Sequence, residues 1–201
     1  MEAGLGVVKR NSRFDFRVFR FSRFLVLLSA MLTFQAATEA DAPLLRDLAE
    51  RIWRESYAGV VSTEQMAYMI GRMYAEETIR RELAEGVCWE IVRKGGGAVG
   101  YFSITFGVGG VAKLNKLYLL PEEQGRGFGQ RMLVRVFDIA LSRGATEMRL
   151  QVNKANVRAQ RAYERFGFVR IEEAVFDIGG GFVMDDYIMA RSVECATARE
   201  N

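Results

Sequence analysis

Six residues, Gln124-Gly125-Arg126-Gly127-Phe128-Gly129, stand between a strand-like run and an amphipathic helical run. Glycine at alternate positions lets the backbone take left-handed angles and come close to a ligand. The first turn of a helix carries amides with no carbonyl to bond, and its dipole favours an anion. A chain with this loop must pass from strand to helix through a tight turn that can cradle a phosphate. Two known cradles do not fit. A Walker loop places Lys and Ser or Thr after its last glycine, where this chain has Gln130-Arg131, and a dinucleotide fingerprint starting at Gly125 needs glycine at Gln130. Taken alone, the loop also fits a glycine-rich turn with no ligand.

At 201 residues the chain suits one domain with a real core. Half its residues are hydrophobic and 26% are charged, the balance of a globular protein. The lack of histidine removes Ser-His-Asp and Cys-His catalysis and the usual His-bearing zinc sites. Two cysteines, Cys88 and Cys195, are too few for a disulfide framework or metal cluster. They favour a reduced, intracellular setting, with Cys88 a core residue beside Trp89. No metal is expected.

The net charge of +3 is unevenly placed. Lys9, Arg10, Arg13, Arg17, Arg20 and Arg23 face only Glu2 and Asp15, a local excess of +4 that leaves the remainder at −1. The basic character belongs to residues 1–30, and no nucleic-acid partner is expected of the rest. From that segment a basic stretch leads into Phe24-Leu25-Val26-Leu27-Leu28-Ser29-Ala30-Met31-Leu32-Thr33-Phe34, which has the order of a signal peptide but is too short to span a bilayer as a helix. Its Arg-rich composition also suits a transit peptide. The reading favoured here takes Met31 as the natural start, because Met31-Leu32-Thr33-Phe34-Gln35-Ala36 reads as a first strand that cleavage would remove. This makes 1–30 an extension, 31–191 the domain and 192–201 a tail, with a cytoplasmic protein and no membrane partner.

Thr38 and Asp41 have capping-box spacing. Leu44, Leu45, Leu48, Ile52 and Trp53 then recur at helical intervals, predicting a helix over 39–56. Ser62 caps a second helical region striped by Met66, Met69, Ile70, Met73 and Tyr74, continuing with a bend through Ile79 and Leu83. The methionines read as adaptable core filling. Strands are predicted over 87–93, 98–106 and 111–120, and a helix with Met132, Leu133, Val136, Phe137, Ala140 and Leu141 inward ends before Gly144. A strand at 147–152, a helix at 157–166 and a strand pair at 168–177 and 182–190 complete the order. This is one α/β (α+β) domain with a mixed sheet.

Downstream of the loop runs Asn153-x-x-Asn156-x-x-Ala159-x-x-x-Tyr163-x-x-x-Gly167-Phe168. Each asparagine suits a cap or turn as well as a ligand contact, and Tyr163 suits a core aromatic. Joined to Pro121-x-x-Gln124-x-x-Gly127-x-Gly129, the segment resembles the GNAT superfamily of acyl-coenzyme A-dependent N-acyltransferases, over about residues 31–191. Residues 50–57 and Asp185-Asp186-Tyr187-Ile188-Met189 look like bacterial polyamine N-acetyltransferases.

The resemblance implies a mixed, mostly antiparallel sheet of six to seven strands with about four helices, split between the fourth and fifth strands. It implies acetyl-coenzyme A as co-substrate, its pyrophosphate on the amides of Gly125, Arg126, Gly127, Phe128 and Gly129, and Gln124 bracing the turn. Leu117, Tyr118 and Leu119 would offer backbone groups to the pantetheine arm, an amide near Leu119 would polarise the thioester, and Asn156 would bond the pantetheine. Arg126 is the favoured partner of the 3′-phosphate over Lys154, Arg158 and Arg161. Tyr163 would be the general acid. The acceptor would be an amine, on a small molecule or a protein, attacking directly in a ternary complex; the alternative is an inactive coenzyme A-binding sensor or accessory subunit. A homodimer is left open. The general base stays open among Glu90, Glu122, Glu123, Asp177, Asp185, Asp186 and water, and Asp185 and Asp186 would attract a cationic amine.

Overall fold

The computed structural model describes residues 31–57, 59 and 61–193. The extension assigned to 1–30 and the tail beyond Val193 lie outside the described residues. A seven-stranded sheet runs in the order β1-β2-β3-β4-β5-β7-β6. Its strands are β1 (Leu32–Ala36), β2 (Cys88–Lys94), β3 (Gly97–Phe106), β4 (Val111–Leu119), β5 (Glu147–Asn153), β6 (Val169–Gly179) and β7 (Phe182–Ser192). All neighbours are antiparallel except β4 and β5. That parallel pair needs a crossover, which the glycine loop and helix α4 (Phe128–Ser142) supply.

Among the described residues five α-helices flank the sheet, one more than the sequence pattern suggests. Helix α1 (Ala42–Ser56) follows a 3-10 turn at Glu39–Asp41 and carries Pro in its first turn. The Asp41 carboxylate accepts from both the amide and the hydroxyl of Thr38, at 2.9 and 2.8 Å, which fixes the entry of the chain. Leu45, Leu48, Ala49, Ile52 and Trp53 form its buried stripe. Full burial of such aliphatic side chains typically contributes about 1.5–3 kcal/mol each. The expected bent second helix is two helices, α2 (Thr63–Met73) and α3 (Glu76–Ala84). The break has a packing cause. Tyr74 leaves the helical path to sit fully buried, accepting from Trp53 Nε1 at 3.3 Å and meeting Tyr101 edge-on, and Ala75 is extended. The last helix is α5 (Val157–Arg165).

Local chemistry explains the connections. Gly95 and Gly96 both have positive φ, the requirement of a two-residue hairpin turn between β2 and β3. Ser62 caps α2 by accepting from the Gln65 amide at 3.1 Å. The β6–β7 hairpin reaches back over the sheet to α2. Tyr68 and Arg72 both donate to the Ile178 carbonyl, the former at 2.8 Å, and Gln65 Nε2 donates to Val183 at 3.1 Å. No described helix is long and apolar enough to cross a membrane.

Candidate active site

The opening in the sheet begins at Asn115. Strand β4 pairs with β3 through a bulge there: Ser103 faces Lys116 while Ile104 faces Leu114, so Asn115 is the extra residue. On its other side β4 pairs with β5 only from Val111 to Leu114. Beyond the bulge the parallel ladder stops, and among the described residues Lys116–Leu119 have no strand beside them on that edge. The Leu120 amide bonds the Val99 carbonyl of β3, and main-chain direction alternates along a strand. Leu117 and Leu119 therefore turn their main-chain groups to the open edge. Tyr118 turns its main chain to β3 and its ring toward α1.

The open edge runs into the glycine loop. Gln124 spans the turn, its Nε2 donating to the Leu119 carbonyl at 2.9 Å. Gly125 (φ 76°) and Gly127 (φ 78°) sit in the left-handed region, where any other residue is strained. Helix α4 starts at Phe128 with no side-chain cap, and its first main-chain bond is from the Arg131 amide to the Gly127 carbonyl, at 3.3 Å. The six amides of residues 125–130 are thus without a main-chain partner among the described residues. A Cβ built on Gly125, Gly127 or Gly129 meets nothing within 4 Å, so the space before the loop is clear. Gly129 is the telling one. Its backbone is helical, so neither strain nor crowding requires glycine there.

Across the opening lies α5. Asn156 caps it, accepting from the Ala159 amide at 3.1 Å. Asn153 accepts from the Ala155 amide at 2.9 Å and offers Nδ2 to Asp186 at 3.4 Å. Gln160 is buried and ties this turn down, donating to the carbonyls of Asn153 and Lys154 at 3.0 and 2.8 Å. Tyr163 packs edge-on against Phe168, 5.7 Å between centroids, and its hydroxyl makes no hydrogen bond among the described residues. Burial, and then the neighbouring Tyr57, push the Tyr163 phenol well above its ordinary value, so it keeps its proton.

Tyr57 links the two halves. It stacks on Trp53 at 4.5 Å, and its hydroxyl lies 3.4 Å from that of Tyr118. Burial raises the Tyr57 pKa, with Tyr118 and Asn156 acting against it through hydrogen bonds and the Asp186 charge adding to it. Tyr118 is raised well above the ordinary value, by burial first and then by Tyr57. Sequence reading finds for Tyr57 no role of its own beyond the resemblance of residues 50–57; its spacing of four from Trp53 is the signal that would have found it.

The cationic and acidic candidates separate clearly. Arg126 is engaged by Glu123 at 3.4 Å and is 56% exposed. Lys154 is held between Glu173 and Asp185, at 2.8 Å from each. Arg158 and Arg161 are exposed on α5 and form no ion pair among the described residues. Cys88 is half-buried at the rim of the core, and burial raises its thiol pKa, the opposite of an activated nucleophile.

The sequence profile of the Acetyltransferase (GNAT) family matches residues 45–168, and the chain belongs to that family. An uncharacterized N-acetyltransferase of Mycobacterium tuberculosis (strain H37Rv) is 36% identical over 101 residues. That match spans 50% of this chain and 64% of the relative, a little under two thirds of its length. The spermidine N(1)-acetyltransferase of Thermoplasma acidophilum is 27% identical over 150 residues, 72% of this chain and 90% of that one. Among solved structures, the PaiA N-acetyltransferase of the same organism, in complex with coenzyme A, superposes with a TM-score of 0.68. It covers 81% of this chain and 99% of its own at 23% identity, a likeness of fold.

Proposed function

We propose that this protein transfers the acetyl group of acetyl-coenzyme A to a primary amine by direct attack in a ternary complex. The observation that carries the reading is continuity: the open edge of β4 at Leu117 and Leu119 leads straight into the unpartnered amides of residues 125–130. A thin extended molecule with an amide-bearing arm and a diphosphate head matches that run, the arm adding as a strand and the head meeting the helix start.

In this reading Gly125, Arg126, Gly127, Phe128 and Gly129 hold the pyrophosphate, and Leu117 and Leu119 bond the pantetheine. The Leu119 amide polarises the thioester carbonyl, a type of donor worth about 3–4 kcal/mol in the transition state. Asn156 caps α5 through its Oδ1 and turns Nδ2 from Tyr57 to the pantetheine. Arg158 and Arg161, which have no acidic partner among the described residues, join Arg126 as candidates for the 3′-phosphate. Tyr163 enters with its proton in place and gives it to the departing sulfur.

The test is a thiol-release assay with acetyl-coenzyme A and a panel of amines that includes spermidine, beside calorimetry with coenzyme A. Release that requires both substrates, together with binding, supports transfer. Binding with no release for any amine leaves a coenzyme A-binding protein and overturns the catalytic reading.

A further inference from the structure

Among the described residues only two acids are buried, Glu90 at 4% and Asp186 at 6% exposure. Glu90 accepts a fork from Arg135, Nη2 at 2.6 Å and Nε at 3.0 Å. Asp186 has no cation within ion-pair distance among the described residues; its one side-chain bond is the long one from Asn153 Nδ2, 3.4 Å. The other acids of the region are occupied. Glu122 pairs with Arg51, Glu123 with Lys94 and Arg126, and Asp185 with Lys154, while Asp177 accepts the Gly179 amide at 2.7 Å inside its own turn. Asp185 is also 53% exposed.

A buried carboxylate without a cation is costly, and a proton or an incoming cation relieves it. The position of Asp186 decides which. It pairs across from Asn153 at the end of β5, three residues past the last contact of β5 with β4. It therefore borders the opening on the side opposite the glycine loop. The groups facing it are Tyr57 just past the end of α1, Lys113 from β4, the neutral Asn153 from β5 and the charge of Asp185 on its own strand. Burial raises its pKa first, and Asp185 adds to this; Asn153 and Lys113 pull it back. Tyr57 lies within electrostatic reach of both Asp186 and the Tyr163 phenol.

We infer that Asp186 is the carboxylate that receives the acceptor's ammonium group and takes its first proton. The inference rests on the transfer chemistry proposed above. One N–H proton passes to Asp186 and leaves for solvent after turnover. The freed nitrogen lone pair forms the C–N bond to the acetyl carbon while the C–S bond breaks. Sulfur leaves with the proton of Tyr163, and the second N–H proton restores the phenol. The acceptor class that follows is a strongly basic primary amine, which arrives charged at neutral pH and needs this step.

The experiment compares the wild-type chain with Asp186→Asn and Glu172→Gln, using acetyl-coenzyme A and spermidine from pH 6 to pH 10. Coenzyme A affinity, read by calorimetry, is expected to be the same in all three. Asp186→Asn should lower kcat/KM by roughly 10²-fold at neutral pH, with the deficit shrinking as the amine loses its proton to bulk solvent. Glu172→Gln, at an exposed acid of β6, should stay close to wild type. Asp186→Ala is the second variant, in which added formate should restore turnover. An Asp186→Asn profile that parallels wild type at every pH, or an Asp186→Ala enzyme indifferent to formate, overturns the inference alone. A wild-type chain that binds coenzyme A yet releases no thiol takes down the transfer reading as well.

Discussion

Gly129 offers the sharpest separation of fold from function. It lies in the first turn of α4 with helical backbone, and a Cβ there meets nothing within 4 Å. Replacing it with alanine should therefore help the fold. Alanine is favoured over glycine in a helix by up to about 1 kcal/mol. In a domain of this size that gain corresponds to a rise in Tm of roughly 2–4 °C. The ligand should respond in the opposite way. The methyl group occupies the clear space where the diphosphate approaches the amides of residues 125–130. Losing one hydrogen bond to a charged group costs about 1.5–3 kcal/mol, which is at least tenfold in affinity. Circular dichroism melting gives the first quantity and calorimetry with coenzyme A the second. Gly129→Ala should be more stable and bind more weakly. A variant that is stabilised and binds as well as wild type would mean that no ligand touches the start of α4. Gly127→Ala is the companion: with φ at 78° it should lose about 1–2 kcal/mol of stability, so its binding defect is ambiguous where that of Gly129→Ala is not.

Tyr163→Phe should keep coenzyme A affinity while lowering turnover at least tenfold; unchanged turnover in the thiol-release assay would leave Tyr163 a packing residue against Phe168. Gly100→Ala should destabilise the fold by about 1–3 kcal/mol in urea unfolding, since its Cβ would collide with the Tyr118 carbonyl oxygen. Arg135→Met should cost about 2–3 kcal/mol by the same measurement, because it strands the Glu90 carboxylate while the guanidinium end is already partly wet.

What could be read before the fold was seen follows from the range of the forces involved. The hairpin turn at Gly95-Gly96, the stripe of α1 and the glycine loop are local, and each is written in a few adjacent residues. The break between α2 and α3 was not legible, because Tyr74 leaves the helix for partners on α1 and β3. Leu114-Asn115-Lys116 carries no bulge signature, so from the residues alone the split was available only through family resemblance; its cause is the mismatch of ladders on the two sides of β4. Asp185 and Asp186 are equivalent as letters. Strand alternation makes one a surface partner of Lys154 and buries the other beside the opening. Tyr57 went unnoticed for a similar reason, since its partner Tyr118 is 61 residues away.

The gap after Leu114 has a further result. A bare strand edge at the rim of a sheet invites other proteins to add to it, and most folds blunt such edges with charge, proline or a bulge. Here the bare edge lies in the interior of a seven-stranded sheet, walled by β5 and β7 on the far side. A second sheet cannot reach it. Only something as narrow as a single chain can enter, so the same geometry that leaves hydrogen bonds unmade also guards them against aggregation.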